Sequence, residues 1–132
     1  MPLDLNALEQ RVMEMLLAGD DPVLRILRQQ FHSANVVARE LSGVGFFTKF
    51  SVPPAIQRVK ERKLSHLGDV KAEIEGLEYG ADFVLHIRNG AIDCLEGSTC
   101  EGAWPESVQN FHISYIDGDE RDLTALWKKW AG

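Results

Sequence analysis

The stretch FVLHIRNGAIDCLEG, residues 83–97, carries the most definite structural signal in this chain. Two runs of alternating apolar and polar residues flank an Asn-Gly pair, and a type I′ turn needs a positive φ at both of its central residues. We therefore predict a β-hairpin with Asn89 and Gly90 at its turn. Because a turn this short joins antiparallel strands, the stretch points to an antiparallel sheet.

Counting outward from this turn predicts which side chains share a face of the hairpin. A regular register places His86 opposite Asp93 and groups Cys94 with Leu85 on the apolar face. Cys94 is then a small core residue that points away from His86. Glu96 falls on the apolar face as well, where a carboxylate is costly unless it is paired or solvated. A one-residue bulge would change this assignment.

Helical periodicity appears at both ends of the chain. Residues 5–17 are predicted to form a helix that Asp4 or Asn6 can cap. A second helix is predicted from Asp21 as its N-cap, with Pro22 at the first helical position. The last helix is predicted to begin at Asp119 and to bury Leu123, Leu126, Trp127 and Trp130.

Between the helices the pattern is typical of β-structure. Strands are predicted at residues 35–41, 45–52, 70–76 and 110–116 in addition to the hairpin, and residues 55–69 are interpreted mainly as loop. We therefore predict an α+β fold in a single domain, residues 1–132. An N-terminal helical hairpin and a C-terminal helix would pack on a mainly antiparallel sheet of about six strands.

Composition narrows the classes of function. The chain has 14 basic and 20 acidic residues and a formal net charge of −6, which disfavours binding to nucleic acid. The short basic run RVKERK, residues 58–63, is interpreted as a solvated face. No apolar run is long enough for a membrane span and no signal peptide is visible, so a cytoplasmic protein with free thiols is expected.

The candidate ligand-binding residues cluster after the hairpin. Glu96 would line a cleft beneath the loop at residues 97–105, with Trp104 as a stacking platform and Cys100 or His112 assisting. Each residue also has a simpler interpretation: Glu96 can reach water at a frayed strand end, and Trp104 can cover the edge of the core. These residues would serve a small-molecule-binding protein or a hydrolase.

Strong catalytic and metal-binding signatures are missing from the sequence. The two cysteines do not form a CxxC pair, and GVG at residues 43–45 is neither a dinucleotide-binding motif nor a P-loop. We accordingly expect no metal and no cofactor. His86 opposite Asp93 is interpreted as a structural pair, and whether the chain is an enzyme stays open.

The segments GVGFFTKF (residues 43–50), GADFVLHIRNGAIDCLEG (residues 80–97) and WPE (residues 104–106) resemble a set of small uncharacterised bacterial proteins. The resemblance covers residues 35–107 and implies a discrete domain family, with no activity to transfer. Our leading hypothesis is a non-enzymatic interaction domain, with homodimerisation as a further option. Glu73 and Glu75 on an acidic strand face would then contact a basic partner, as in antitoxin-like or immunity-like binders.

Overall fold

The computed structural model describes residues 4–60 and 63–131. Within these residues the chain forms three helices and six strands. The helices are α1 (Ala7–Leu16), α2 (Pro22–Ser33) and α3 (Leu123–Ala131). The strands are β1 (Asn35–Leu41), β2 (Gly45–Ser51), β3 (His66–Ile74), β4 (Ala81–Arg88), β5 (Ala91–Ser98) and β6 (Phe111–Tyr115). In the described part of the chain, no helix is both long and apolar enough to cross a membrane.

The six strands form one antiparallel sheet in the order β1-β2-β5-β4-β3-β6. Helices α1 and α2 contact one side of this sheet, which we call the helix face. We call the opposite side the outer face. The sheet carries the two N-terminal helices and α3, and the predicted α+β fold is confirmed.

Capping residues fix where the first two helices begin. The side chain of Asn6 accepts a hydrogen bond from the backbone N–H of Glu9, while the Glu9 carboxylate accepts one from the backbone N–H of Asn6. Asp21 caps α2 by accepting from the N–H groups of Val23 and Leu24. The predictions of Asn6 and Asp21 as caps are confirmed.

The last helix differs from its prediction. It starts at Leu123, and Asp122 rather than Asp119 accepts the hydrogen bond from the N–H of Ala125. A tight turn that joins Tyr115 to Gly118 leaves Asp119 in the connecting loop. Leu126 is buried, but Trp127 is 39% exposed because only one side of the helix packs on the protein. The side chain of Trp130 lies outside the described residues.

Strand β3 begins at His66, four residues before the predicted start. Its ladder with β4 pairs Leu67 with Leu85 and then Val70 with Phe83, so β3 contains one residue more than β4 between these pairs. A bulge of this kind interrupts the alternation of buried and exposed residues, which is why the strand pattern is visible only from residue 70 onward.

The hairpin has the predicted turn but a different register. Asn89 and Gly90 both have positive φ, at 53° and 76°, which confirms the turn. Ile87 pairs with Ile92, but His86 then pairs with Cys94, so Asp93 is an extra, unpaired residue in β5. The predicted pairing of His86 with Asp93 is therefore wrong.

Because of the bulge at Asp93, the later residues of β5 point to the opposite side of the sheet from the side that the regular register predicts. Leu95 pairs with Leu85 on the helix face and is fully buried, whereas Cys94 and Glu96 lie on the outer face. The predicted placement of Cys94 and Glu96 on the apolar face is wrong. The physical reason is that the extra residue buries both Ile92 and Leu95 while the carboxylate of Glu96 stays out of the core.

A buried glutamine holds the hairpin turn against α2. Gln30 is fully buried, and its Nε2 donates to the carbonyls of Gln57 and Gly90, each at 2.9 Å. Its Oε1 accepts from the backbone N–H of Ile92 at 2.9 Å. Val59 also donates to the carbonyl of Gly90, and a Cβ at position 90 would lie 2.3 Å from the Val59 oxygen. Glycine is therefore required at position 90 for two reasons: its positive φ, and the close approach of the Val59 oxygen, which leaves no space for a Cβ.

The Gln30→Ala variant is expected to lower the free energy of unfolding by about 2 kcal/mol, because the N–H of Ile92 and the carbonyl of Gln57 lose their partner, while the carbonyl of Gly90 keeps only Val59. Gln29→Ala, in the same helix but exposed, is the matched control and should change it by less than about 0.5 kcal/mol. Urea unfolding monitored by circular dichroism measures both variants. Equal effects of the two substitutions would contradict a role for Gln30 in fixing the turn.

Candidate functional site

The outer face carries a histidine, a carboxylate and a thiol near the bulge. Nε2 of His86 lies 3.0 Å from Oε1 of Glu96, and both side chains are partly exposed. Cys94 lies between His86 on β4 and Lys49 on β2, to which it is paired in the two ladders. The structure thus brings together His86 and Cys94, which the regular register had separated.

The chemistry of Cys94 does not suit a nucleophile. Burial, together with the nearby carboxylates of Asp93 and Glu96, raises the pKa of its thiol from 9.0 to about 11. Lys49 acts in the opposite direction without offsetting them. The thiol therefore stays protonated at neutral pH, and only a thiolate would attack a substrate or bind a metal.

A wide acidic groove crosses the other end of the outer face. Its walls are the β3–β4 connection, the neighbouring ends of these strands, and residues 110–119, and its volume is about 950 Å³. We call it the acidic groove. Lys71, His112 and Tyr79 also line it, and Tyr79 is 57% exposed. Its carboxylates are Glu73, Glu75, Glu78, Asp82 and Asp119.

The acidic groove contains three of the residues singled out in the sequence. Glu73 pairs with His112 across the β3–β6 ladder, and Glu75 accepts a hydrogen bond from the side chain of Asn110. His112 on β6 is separated from His86 on β4 by the intervening strand β3. Glu73, Glu75 and His112 therefore form one surface, which is separate from the His86–Glu96 pair.

The loop that follows β5 closes a cavity on the helix face. Its backbone is bound to the β1–β2 turn, since Trp104 donates to the carbonyl of Gly43 at 2.8 Å and Thr99 to that of Val44 at 2.9 Å. The ring of Trp104 packs edge-on against Phe46 with centroids 5.4 Å apart. The cavity has a volume of about 490 Å³, and we call it the Trp104 cavity.

Glu96 and Trp104 do not line a common cleft. Phe46, which contacts Trp104, lies on the helix face, whereas the next residue along β2, Phe47, pairs with Glu96 on the outer face. Cys100 is exposed on the loop and is not among the described residues that line the cavity. The sheet therefore separates the carboxylate from the aromatic platform that the sequence had suggested as its partner.

The polar residues beside the Trp104 cavity were missed in the sequence. Glu9 is fully buried on the apolar stripe of α1, and its carboxylate accepts from Nε and Nη2 of Arg39 at 3.0 and 2.5 Å. The hydroxyl of Thr48 also donates to Glu9. The sequence contained a signal for this pair. Glu9 falls on the apolar stripe of α1 and Arg39 lies in β1, and opposite charges at inward positions indicate a buried ion pair.

The basic run at residues 58–63 is partly used inside the protein. The guanidinium of Arg58 donates to the carbonyls of Val52, Pro53 and Ile56 and so holds the connection before β3 in shape. Glu61 and Arg62, which belong to the same run, lie outside the described residues. Lys60 and Lys63 are the exposed basic residues of the run that the structure describes.

Comparison with known proteins adds no further assignment: no family model, no curated protein and no solved structure matches this chain. The resemblance carried by residues 35–107 stays a prediction. In residues 4–60 and 63–131, no group of three or more His, Cys, Asp or Glu side chains is placed to hold a metal ion.

The raised pKa of Cys94 predicts slow alkylation. In a Cys100→Ser variant, which has one thiol, iodoacetamide at pH 8 should react with the folded protein at least about 100-fold more slowly than with the urea-unfolded protein, since the thiolate fraction falls by that factor. Mass spectrometry measures both rates. A difference below about tenfold would contradict the assignment.

The same shift links Cys94 to folding stability. Because the folded state raises this pKa, the thiol favours folding below pH 9.0, and this contribution is lost as the pH rises from 9.0 towards about 11. A Cys94→Ala variant should therefore show a smaller decrease in unfolding free energy across this interval than the parent chain. Parallel slopes in urea titrations at a series of pH values would contradict the linkage.

Proposed function

We propose that this chain is a protein-interaction domain that binds the basic surface of a different protein through the acidic groove. The observation that carries the proposal is the concentration of carboxylates around one concave surface, whose described lining residues include five carboxylates and a single lysine, Lys71. Complementary charge of this kind steers encounter and selects partners.

The carboxylates of the groove are available to a partner. Some acidic groups elsewhere in the protein form ion pairs, as Glu9 does with Arg39 and Asp69 with Arg121. Among the described residues, none of the five groove carboxylates lies within ion-pair distance of a basic side chain. The negative charges of these five carboxylates are therefore not neutralised by ion pairs within the described residues.

Tyr79 supplies the groove with an apolar contact. It lies in the β3–β4 connection and exposes 57% of its surface, although aromatic residues of this size are usually buried. Tyrosine is enriched at protein interfaces because a rigid ring with one hydroxyl provides both contact area and a hydrogen bond. A partner with lysine or arginine beside an apolar residue would match the groove.

The groove argues against a symmetric homodimer built on this surface. A two-fold interface places the same patch of both copies in contact, so the five carboxylates would face five others. Like charges brought together in this way cost several kcal/mol. The proposal therefore concerns a partner of different sequence.

Binding is tested with a labelled peptide of alternating lysine and serine, and a glutamate–serine peptide serves as its charge-inverted control. The lysine peptide should shift the amide NMR signals of residues 71–82 and 110–119, and its affinity should fall as salt is added. The glutamate peptide should leave these signals unchanged. Shifts spread evenly over the whole surface would contradict a groove-specific interaction.

Charge reversal tests the residues themselves. The double variant Glu73→Lys, Glu75→Lys should weaken binding of the lysine peptide by at least about tenfold, because two attractions become repulsions. The control Glu14→Lys, Glu101→Lys makes the same charge change at exposed positions outside the groove and should keep most of the affinity. Equal losses in the two double variants would show that only net charge matters.

A further inference from the structure

We propose that the Trp104 cavity binds a small carboxylate with an aromatic or branched aliphatic body. This site shares none of its described lining residues with the acidic groove and faces the other side of the sheet. It is therefore independent of the proposed protein-binding function, and either assignment can fail without the other.

The walls of the cavity suit an apolar ligand. Leu8 and Phe46 are buried at its base, Trp104 and Val108 are half-buried at its side, and Leu41 is 78% exposed at its mouth. A volume of about 490 Å³ falls in the range that holds a small organic molecule. Burial of an aromatic or branched group here would cover apolar surface that now contacts solvent.

Arg39 provides the polar anchor of the cavity. Its Nε and Nη2 are held by Glu9, and Nη2 also donates to the carbonyl of Asp4 at 2.9 Å. Within the described residues Nη1 makes no hydrogen bond, and Arg39 lines the cavity. A guanidinium that is already fixed by an internal carboxylate loses little side-chain freedom when it binds a ligand, and its planar geometry suits a carboxylate.

The carboxylate of Glu9 is not free to accept hydrogen bonds from a cationic ligand. Its two oxygens accept four hydrogen bonds, from Arg39 twice, from the hydroxyl of Thr48 and from the backbone of Asn6. This number fills its usual acceptor capacity. The hydrogen-bonding groups left to a ligand beside Glu9 include Nη1 of Arg39, which is a donor and favours an acceptor group on the ligand.

The start of α1 supports the same choice of charge. Ala7 and Leu8 line the cavity and form the first turn of the helix, whose leading N–H groups have no intrahelical acceptor. The positive end of the helix dipole favours an anion at this position. Glu106 also lines the cavity but is exposed at its edge, where solvent screens its charge.

The test compares three probes of similar shape and different charge: phenylacetate, 2-phenylacetamide and phenethylamine. Phenylacetate should bind with a Kd of about 1 mM, as expected for a fragment of this size. The neutral amide should bind about tenfold more weakly and the amine not measurably. Amide signals of Ala7 and Leu8 and the indole N–H signal of Trp104 should shift in NMR titrations with phenylacetate.

A cavity-filling variant separates this site from weak binding elsewhere. Val108→Trp should occupy the cavity and abolish the shifts, whereas Val37→Trp makes the same substitution at an exposed position that does not line the cavity and should preserve them. Circular dichroism verifies that both variants fold. If Val108→Trp does not fold, Trp104→Ala, which removes the aromatic wall, should weaken phenylacetate binding at least about tenfold.

Two results would overturn the proposal. The first is the absence of saturable shifts with phenylacetate at concentrations of about 10 mM, which would exclude the site for this ligand class. The second is binding of the amine or the amide as tightly as the acid, which would show that Arg39 and the start of α1 do not select a carboxylate. Neither result bears on binding of the lysine peptide to the acidic groove.

Discussion

The high cost of burying an unpaired carboxylate determines how β5 lies in the sheet. Without the extra residue at Asp93, the strand would turn Glu96 towards the helices and Leu95 towards solvent. With it, Leu95 is fully buried and Glu96 lies beside His86 on the outer face. The bulge thereby places Leu95 in the core on the helix face and Glu96 on the outer face, the face that also carries the acidic groove.

Fully satisfied buried polar groups connect the helices to this sheet. Gln30 joins α2 to the hairpin turn, and Glu9 joins α1 to β1 and β2 through Arg39 and Thr48. Arg121 forms two hydrogen bonds with Asp69 and one with the carbonyl of Ala18. No buried side-chain polar atom in the described residues lacks a partner. Of these networks, the one between Glu9 and Arg39 borders the Trp104 cavity and ties α1 to β1 there.

Features that depend on residues close together in the sequence were predictable. Features that depend on contacts between distant segments were not. The turn at Asn89 and the caps at Asn6 and Asp21 depend on residues close in sequence. The bulge at Asp93 depends on which residues meet α2, which no local pattern contains. Glu73, Glu75 and His112 share one surface because β6 pairs with β3. The Trp104 cavity combines three distant segments, namely residues 6–8, 39–46 and 104–108.

The register of the hairpin assigns Glu96 and Trp104 to opposite sides of the sheet. Cross-strand nuclear Overhauser effects between backbone protons of β4 and β5 measure it directly. The bulged register predicts contacts that pair Leu85 with Leu95 and His86 with Cys94. Contacts that pair Leu85 with Cys94 and His86 with Asp93 would contradict it, and would return Glu96 to the side of the sheet that Trp104 occupies.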